Sequence, residues 1–530
     1  MESQEIHNRI GVYLDNGLGG ILARLFLKSA SVLPAHDRLG STSLRGKQRT
    51  LSQGIGRCVA VCCLLATSIA AAEEPIKLHP DNPHYFLFRG RPTLLITSGE
   101  HYGAVLNLDF DYVRYLDALK GHGYNLTRTF SGTYREVPGS FGITGNTLAP
   151  SAGSYLCPRL RSSTRGAPNG DSKFDLTKWD QAYFDRLKDF CAQAGKRGIV
   201  VELVLFTTMY DEKVWQASPM NARNNINGIG NVGRNEVYSG QDKRLLGVQQ
   251  AVVQKIVSEL NDFDNIYYEV CNEPYERPGL TREWNDRIIA AIVEAEGSLP
   301  ARHLIAQNLD KGSVKASDLN QHVSILNFHA ASGDSVKLNY GLRKVIANDE
   351  TGGADHSDRK YRTEAWNFML AGGGVYDHLD FSYTPDQEDG MAVPLPAGTP
   401  GGGGPELRKQ LQILKEFVEA FDFIKMAPNE SVIKERDVRE PGTGSKTKVT
   451  LSALAQVGTA YAIHIDGGIQ AELVLDLPAG TYQLEWINTK TGKVDLAETD
   501  RHTGGNRTLV SPPYQEDIAL RVKRINGNER

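Results

Sequence analysis

The chain lacks most of what a metal-dependent, disulfide-built or nucleic-acid-binding protein requires. Its six cysteines contain no Cys-x-x-Cys pair; Cys58, Cys62 and Cys63 fall within the first 72 residues, and Cys157, Cys191 and Cys271 remain as an odd set. That argues against a disulfide framework and a cysteine zinc site. No His-x-His or His-Glu-x-x-His spacing occurs, and Asp386-Gln387-Glu388-Asp389-Gly390 lacks the remainder of a calcium loop. Neither a metal nor a cofactor is therefore expected. No repeat at a solenoid period is present, and a formal net charge of −4 supplies no basic surface for nucleic acid or an anionic membrane.

The longest apolar run, residues 58–71, is shorter than the roughly 20 residues that span a bilayer. It follows Arg45, Lys47, Arg49 and Arg57 and ends at Ala70-Ala71-Ala72 before Glu73. Basic, apolar and small-residue parts in that order read as a secretory signal at an unusually long distance from Met1, with a membrane anchor as the alternative. Residues 1–72 are expected to form a leader and the protein to be secreted or periplasmic. Their removal leaves 51 basic and 59 acidic side chains, a formal charge of −8.

From residue 90 the pattern alternates between β-rich runs and helical periods. Strands are expected at 93–98, 125–130, 199–206, 266–271, 303–306, 323–328, 344–348 and, least distinctly, 373–376, with helices at 110–120, 179–194, 245–260, 284–296 and 406–421. Eight such units are an α/β barrel, of the (β/α)8 TIM type, over residues 73–427. From 428 to 530 the pattern changes to short alternating runs with turns such as Pro478-Ala479-Gly480, as in a small antiparallel β-sandwich.

Two strands end on acids. Ile266–Cys271 runs into Asn272-Glu273-Pro274, and residues 344–348 run into Asp349-Glu350-Thr351-Gly352. Strand ends are where a barrel keeps its chemistry, and two facing carboxylates suit glycosidic bond cleavage. Strand-then-Asn-Glu-Pro on strand four, with a strand-terminal Glu on strand seven, resembles the clan of retaining glycoside hydrolases that includes the cellulase-like family 5 enzymes. The Tyr482–Ile487 stretch resembles the sandwich appended to many such barrels.

The resemblance implies a secreted glycoside hydrolase that acts on an oligosaccharide or polysaccharide, with Glu273 as acid/base and Glu350 as nucleophile. Asn272 would bind the sugar 2-hydroxyl, Arg128 at the end of strand two would hold the nucleophile ionised, and His329 at the end of strand six would contact substrate. His101 and Tyr102 follow strand one, and Trp215 and Tyr275 are candidate aromatic platforms, with Tyr134 and Trp366 as further ones. Asp349, adjacent to Glu350, is expected to point to the other side if the strand persists. The Asn-rich stretch 221–235 either contacts hydroxyls or forms turns.

The sequence departs from the clan's pattern at three places: no histidine ends strand three, Ala330 stands where many members have a tyrosine, and no tryptophan marks strand eight. A transglycosylase using the same residues, or a catalytically silent sugar-binding barrel, are the other readings.

Overall fold

The computed structural model describes residues 74–525 apart from 101, 276–278, 353–355, 397 and 440–448. The expected leader and His101 lie outside the described residues. Eight parallel strands form one sheet: β1 Leu95–Gly99, β2 Leu126–Phe130, β3 Val200–Thr207, β4 Ile266–Asn272, β5 Ile305–Lys311, β6 Val323–His329, β7 Val345–Thr351 and β8 Val375–Leu379. They hydrogen-bond in chain order from β2 to β8, and β8 returns to β1. At the β1–β2 seam a side chain replaces the ladder: Asn125 Oδ1 accepts from Ile96 N (3.1 Å) and Nδ2 donates to Leu94 O (2.7 Å).

Helices α1 Tyr112–Gly121, α2 Gln181–Lys196, α3 Lys243–Leu260, α4 Arg282–Gly297, α5 Gly333–Asn339, α6 Asp358–Leu370 and α7 Pro405–Glu419 follow the strands. Asp111, Asp180, Asp242 and Thr281 cap the first four by accepting from their orphan backbone N–H groups. Among the described residues no helix separates β5 from β6. No helix among them is long and apolar enough to cross a membrane.

The period of two along each strand sorts the interior into layers. The lower layer is apolar: Leu95, Leu126, Val200, Tyr267, Ala306, Ile325, Ala347 and Val375 pack with Phe86 and Phe88 of a hairpin that stops the barrel floor. Two residues further along each strand, Thr97, Arg128, Glu202, Glu269, Asn308, Asn327, Asp349 and Asp377 form a buried polar layer beneath the mouth.

Strand β8 lies two residues beyond its expected start. A Cβ on Gly373 would meet Phe368 Cε1 at 2.3 Å and one on Gly374 would meet the carbonyl of His84 at 2.5 Å. The glycine run is thus a turn squeezed under its neighbours, and the strand begins only after it.

The C-terminal strands β9 Ile433–Arg439, β10 Thr450–Gln456, β11 Ala460–Asp466, β12 Gln470–Leu477, β13 Gly480–Ile487, β14 Val494–His502, β15 Gly505–Val510 and β16 Asp517–Ile525 form two antiparallel sheets. Ile463, Leu473, Leu475, Tyr482, Trp486 and Leu520 make the core between them. The sandwich is joined to barrel helix α6 by buried charge: Arg362 reaches Asp517 Oδ1 at 2.6 Å and Glu516 at 2.8 Å, while His464 bonds both Asn367 (2.9 Å) and Asp517 (3.2 Å).

Removing one partner of a buried pair strands the other. Arg362→Ala should therefore destabilise the protein by about 3–5 kcal/mol, read as a lowered denaturant midpoint. A loss within about 0.5 kcal/mol, the range of an ordinary surface substitution, would show that the pair does not join the two parts.

Candidate active site

Arg128 rises from β2 into the polar layer with no exposed surface, and everything above it is arranged on its donors. Its Nη2 lies 2.6 Å from Glu269 Oε2 of β4 and 3.3 Å from Asp349 Oδ2 of β7, and donates to Asn272 Oδ1 at 2.7 Å. Nη1 donates to Glu350 Oε2 at 3.0 Å. Asp349 and Glu350 therefore do not diverge as strand alternation predicts. The pairing of β7 with β6 and β8 shifts register around Asn348–Thr351, and this bulge brings both acids to one guanidinium. They differ in access: Asp349 is fully buried, whereas the Glu350 side chain keeps 19% of its surface.

Glu350 Oε2 also accepts from the Tyr102 hydroxyl at 3.1 Å. Tyr102 sits at φ 68°, in a turn held by the buried carboxyl of Glu100, which accepts from Gly103 N (3.0 Å), Ala104 N (3.1 Å) and Thr147 Oγ1 (2.8 Å). A Cβ at Gly103 would lie 2.2 Å from the Thr147 carbonyl, so glycine is required there. Tyr102 thus supplies a hydroxyl to this carboxylate from β1, while Ala330 beyond β6 has none.

Glu273, at φ 49° just past β4, faces Glu350 across the mouth. One carboxylate oxygen of each and a ring nitrogen of His329 all lie within 4.8 Å of one another. Glu273 Oε1 is 3.1 Å from His329 Nδ1 and 3.4 Å from the Tyr275 hydroxyl; Oε2 accepts from the Tyr210 hydroxyl at 2.5 Å. Burial alone would raise the Glu273 pKa, but the hydrogen bond and charge of His329, then Tyr210 and Lys311, outweigh it and hold the acid at about 2. Burial would likewise lower His329, yet Glu350, Asp349 and Glu273 raise it to about 9. The pair therefore shares one proton across the neutral range. A charged imidazole needs an acceptor at Nε2, which the otherwise unpaired Asn308 Oδ1 provides when that amide, 2.5 Å away, is turned end for end.

Three of these ligand-type groups could in principle grip a cation, but their lone pairs already face Arg128, His329 and two tyrosine hydroxyls. The donor set fits a carboxylate pair better than a metal.

These residues open into a cavity of about 270 Å3, at the small end for ligand pockets, lined also by Phe130, Glu136, Phe141, Lys311, Phe381 and Pro400. Of the aromatic platforms expected, Trp215 is corrected: it is 1% exposed, with Nε1 bonded to Val232 O, because its short helix Glu212–Ala217 turns it into the core. Trp366 is buried against His464 and Tyr134 behind Glu136. The Asn-rich stretch makes turns, Asn225 Nδ2 donating to the carbonyls of Asn221 and Ile229.

Tyr210, Glu136 and Lys311 were not apparent from the sequence. Tyr210 follows β3, whose end carries no histidine, so the strand end itself is the available signal. Glu136, 3% exposed and pushed up to about 7 by burial, belongs to a long insert after β2 that carries no motif.

Below the mouth, burial pushes Glu202, Glu269 and Asp349 up to about 7 and Asp377 well above the usual carboxylate range, despite the pull of Arg128. Unfolded, such groups titrate near pH 4. The folded chain hence binds more protons than the unfolded between about pH 4 and 7, and this layer costs stability as pH rises through that window. Glu202 accepts from Tyr267 and Asn327 and touches no pocket group. The nearly isosteric Glu202→Gln should therefore gain thermal stability relative to wild type from pH 5 to 8; a pH-independent difference between their melting temperatures would contradict the charge argument.

Neither a protein-family model nor a curated protein matches the sequence. Among solved structures, a putative glycoside hydrolase from Bacteroides vulgatus ATCC 8482 aligns over 87% of this chain and 84% of its own, with TM-score 0.58 and 14% identity. A glycoside hydrolase family 5 structure from the same organism aligns over 85% and 93% with TM-score 0.56 and 16% identity, and a further glycoside hydrolase over 85% and 97% with TM-score 0.56 and 15% identity. The chain therefore has the barrel-plus-sandwich fold of glycoside hydrolase family 5 structures.

Proposed function

We propose that the protein is a retaining glycoside hydrolase acting on a β-linked glycan, with Glu350 as nucleophile and Glu273 as acid/base. The observation that carries this reading is the pair of facing carboxylates at the mouth, with oxygens inside 4.8 Å. Retaining enzymes hold their two carboxyl groups about 5–5.5 Å apart, while inverting ones leave roughly 6.5–9.5 Å for a water.

The neighbours support different roles for the two acids. Arg128 and Tyr102 both donate to Glu350 Oε2, which fixes the direction of the carboxylate for attack on an anomeric carbon. Glu273 shares a proton with His329 and can pass it to a departing sugar oxygen as the Glu350–C1 bond forms. In the second step it takes a proton from the water that breaks that bond. Asn272, its Oδ1 fixed by Arg128, gives one Nδ2 hydrogen to the Tyr210 hydroxyl and keeps the other for a sugar hydroxyl. The silent-barrel reading would leave this convergence of Arg, Asn, His and two acids without a use. The order of basic, apolar and Ala-rich parts before Glu73 supports export, and the mass of the exported chain tests it.

Glu350→Ala should abolish turnover of every glycoside. Glu273→Ala should lower rates by about 10²–10⁴ on poor leaving groups and far less on activated aryl glycosides, with azide restoring part of the rate as a β-glycosyl azide. Azide rescue of Glu350→Ala instead, with Glu273→Ala dead on activated substrates, would reverse the roles. Since the Glu273–His329 pair gives up its shared proton at about 9, kcat/KM for poor leaving groups should fall on the alkaline side near that pH. A fall beginning well below neutrality would place the acid elsewhere.

A further inference from the structure

The two oxygens of Glu273 are not equivalent. Arg128 carries only donors, so Asn272 Oδ1 must accept from it, at 2.7 Å, and the Asn272 amide cannot turn over. Asn272 Nδ2 is thereby committed to donate to the Tyr210 hydroxyl oxygen at 2.9 Å. The Tyr210 proton is left to point at Glu273 Oε2, 2.5 Å away. The hydrogen bonds run one way from guanidinium to carboxylate, and Oε2 accepts from Tyr210 in every protonation state of Glu273, which favours the proton on Oε1 because the unprotonated oxygen of a carboxylic acid is the better acceptor.

Tyr210 is held for this. Its ring stands edge to face between Tyr134, at 6.1 Å, and Phe141, at 5.2 Å, and its carbonyl accepts from Arg234 Nη1 at 2.5 Å. Two residues earlier, Thr208 joins the loops after β3 and β4: its N–H donates to Asn272 O (3.1 Å) and its hydroxyl to Glu273 O (2.7 Å).

Resting on the retaining reading above, we propose that Tyr210 is a positioning residue that confines the transferable proton of Glu273 to Oε1. That oxygen faces the shared proton at His329 Nδ1, 3.1 Å away. In the first step the shared proton passes from His329 Nδ1 to Oε1 and on to the glycosidic oxygen as that oxygen's bond to the anomeric carbon breaks and the Glu350–carbon bond forms. In the second, a water proton returns to Oε1 as the water oxygen replaces Glu350. Oε2 keeps its bond to Tyr210 throughout. The other charged groups facing Glu273 are Lys311 on β5, His329 on β6 and Glu350 on β7, with Arg128 acting through Asn272; His329 meets Oε1, and Tyr210 is the group that donates to Oε2.

Tyr210→Phe removes the hydroxyl and keeps the packed ring. Without it Oε2 can take the proton, and the ionised carboxylate loses a donor. Two measurements test the proposal on the full chain. The side-chain carboxyl carbon of Glu273, followed by 13C NMR against Glu273→Gln, should titrate about one to two pH units higher in Tyr210→Phe. In a series of aryl glycosides, kcat/KM should fall roughly tenfold for the poorest leaving group and stay within about twofold for the best, steepening the leaving-group plot with KM little changed. An unmoved carboxyl titration overturns the proposal whether or not the protein is active. An equal fall across all leaving groups overturns it too, because that is the signature of a merely structural tyrosine. Wild-type protein that cleaves no glycoside would instead fail the retaining reading, and the NMR titration would still decide the role of Tyr210.

Discussion

The site depends on one guanidinium. Arg128 is a planar group with five donors, and from β2 it contacts β4 through Glu269 and Asn272 and β7 through Asp349 and Glu350. A lysine ammonium could supply the charge but not this spread of directions. Buried ion clusters of this kind are rarely a source of net stability, since well-packed apolar residues often do as well or better. The layer makes sense as a device for orientation: it fixes which way the Asn272 amide faces, holds two acids of β7 on one cation, and sets the direction of every hydrogen bond between there and Glu273.

The same region concentrates uncommon backbone. Tyr102, Glu273 and Ala330, at the ends of β1, β4 and β6, all have φ between 47° and 68°, a conformation that non-glycine residues seldom adopt. Each such residue costs on the order of 1–3 kcal/mol and persists only where its surroundings determine it. Those surroundings are visible. Glu100 holds the Tyr102 turn by three hydrogen bonds, Thr208 grips the carbonyls on both sides of the Glu273 Cα, and Ala330 N donates to Glu350 O at 2.9 Å. The strain lets side chains at strand ends turn into the mouth instead of continuing the alternation of the strand.

This also separates what the sequence discloses from what it conceals. Strand count and the two acid-terminated strands are legible because a period of two and an Asn-Glu or Asp-Glu ending are local patterns, and the strands lie within a few residues of where periodicity puts them. The bulge that gathers Asp349 and Glu350 onto Arg128 is a property of pairing with β6 and β8, and nothing in Ala347-Asn348-Asp349-Glu350 announces it. Trp215 reads as a platform from its loop position, yet a six-residue helix turns it into the core. Tyr210 is hidden for a related reason: its role comes from a chain of contacts through Asn272 to Arg128, residues far from it in sequence.

The walls of the cavity follow a different logic from its floor. Floor residues come from strand positions, where the barrel dictates the side chain's direction, whereas Glu136, Phe141, Ile143 and Leu148 come from the insert after β2, and Phe381 and Pro400 from the segment after β8. Barrel enzymes vary substrate by varying such loops on a constant frame. Here the insert contributes an exposed aromatic ring at Phe141, which is 53% accessible, together with a buried acid at Glu136 whose oxygens accept from Tyr134 and Asn146. An apolar face beside a carboxyl group is what a sugar ring with its hydroxyls presents to a protein in reverse. On the proposed reading, the choice of glycan falls to residues 131–157 and 380–404, which share no periodicity with the barrel, and the fold by itself is silent about it.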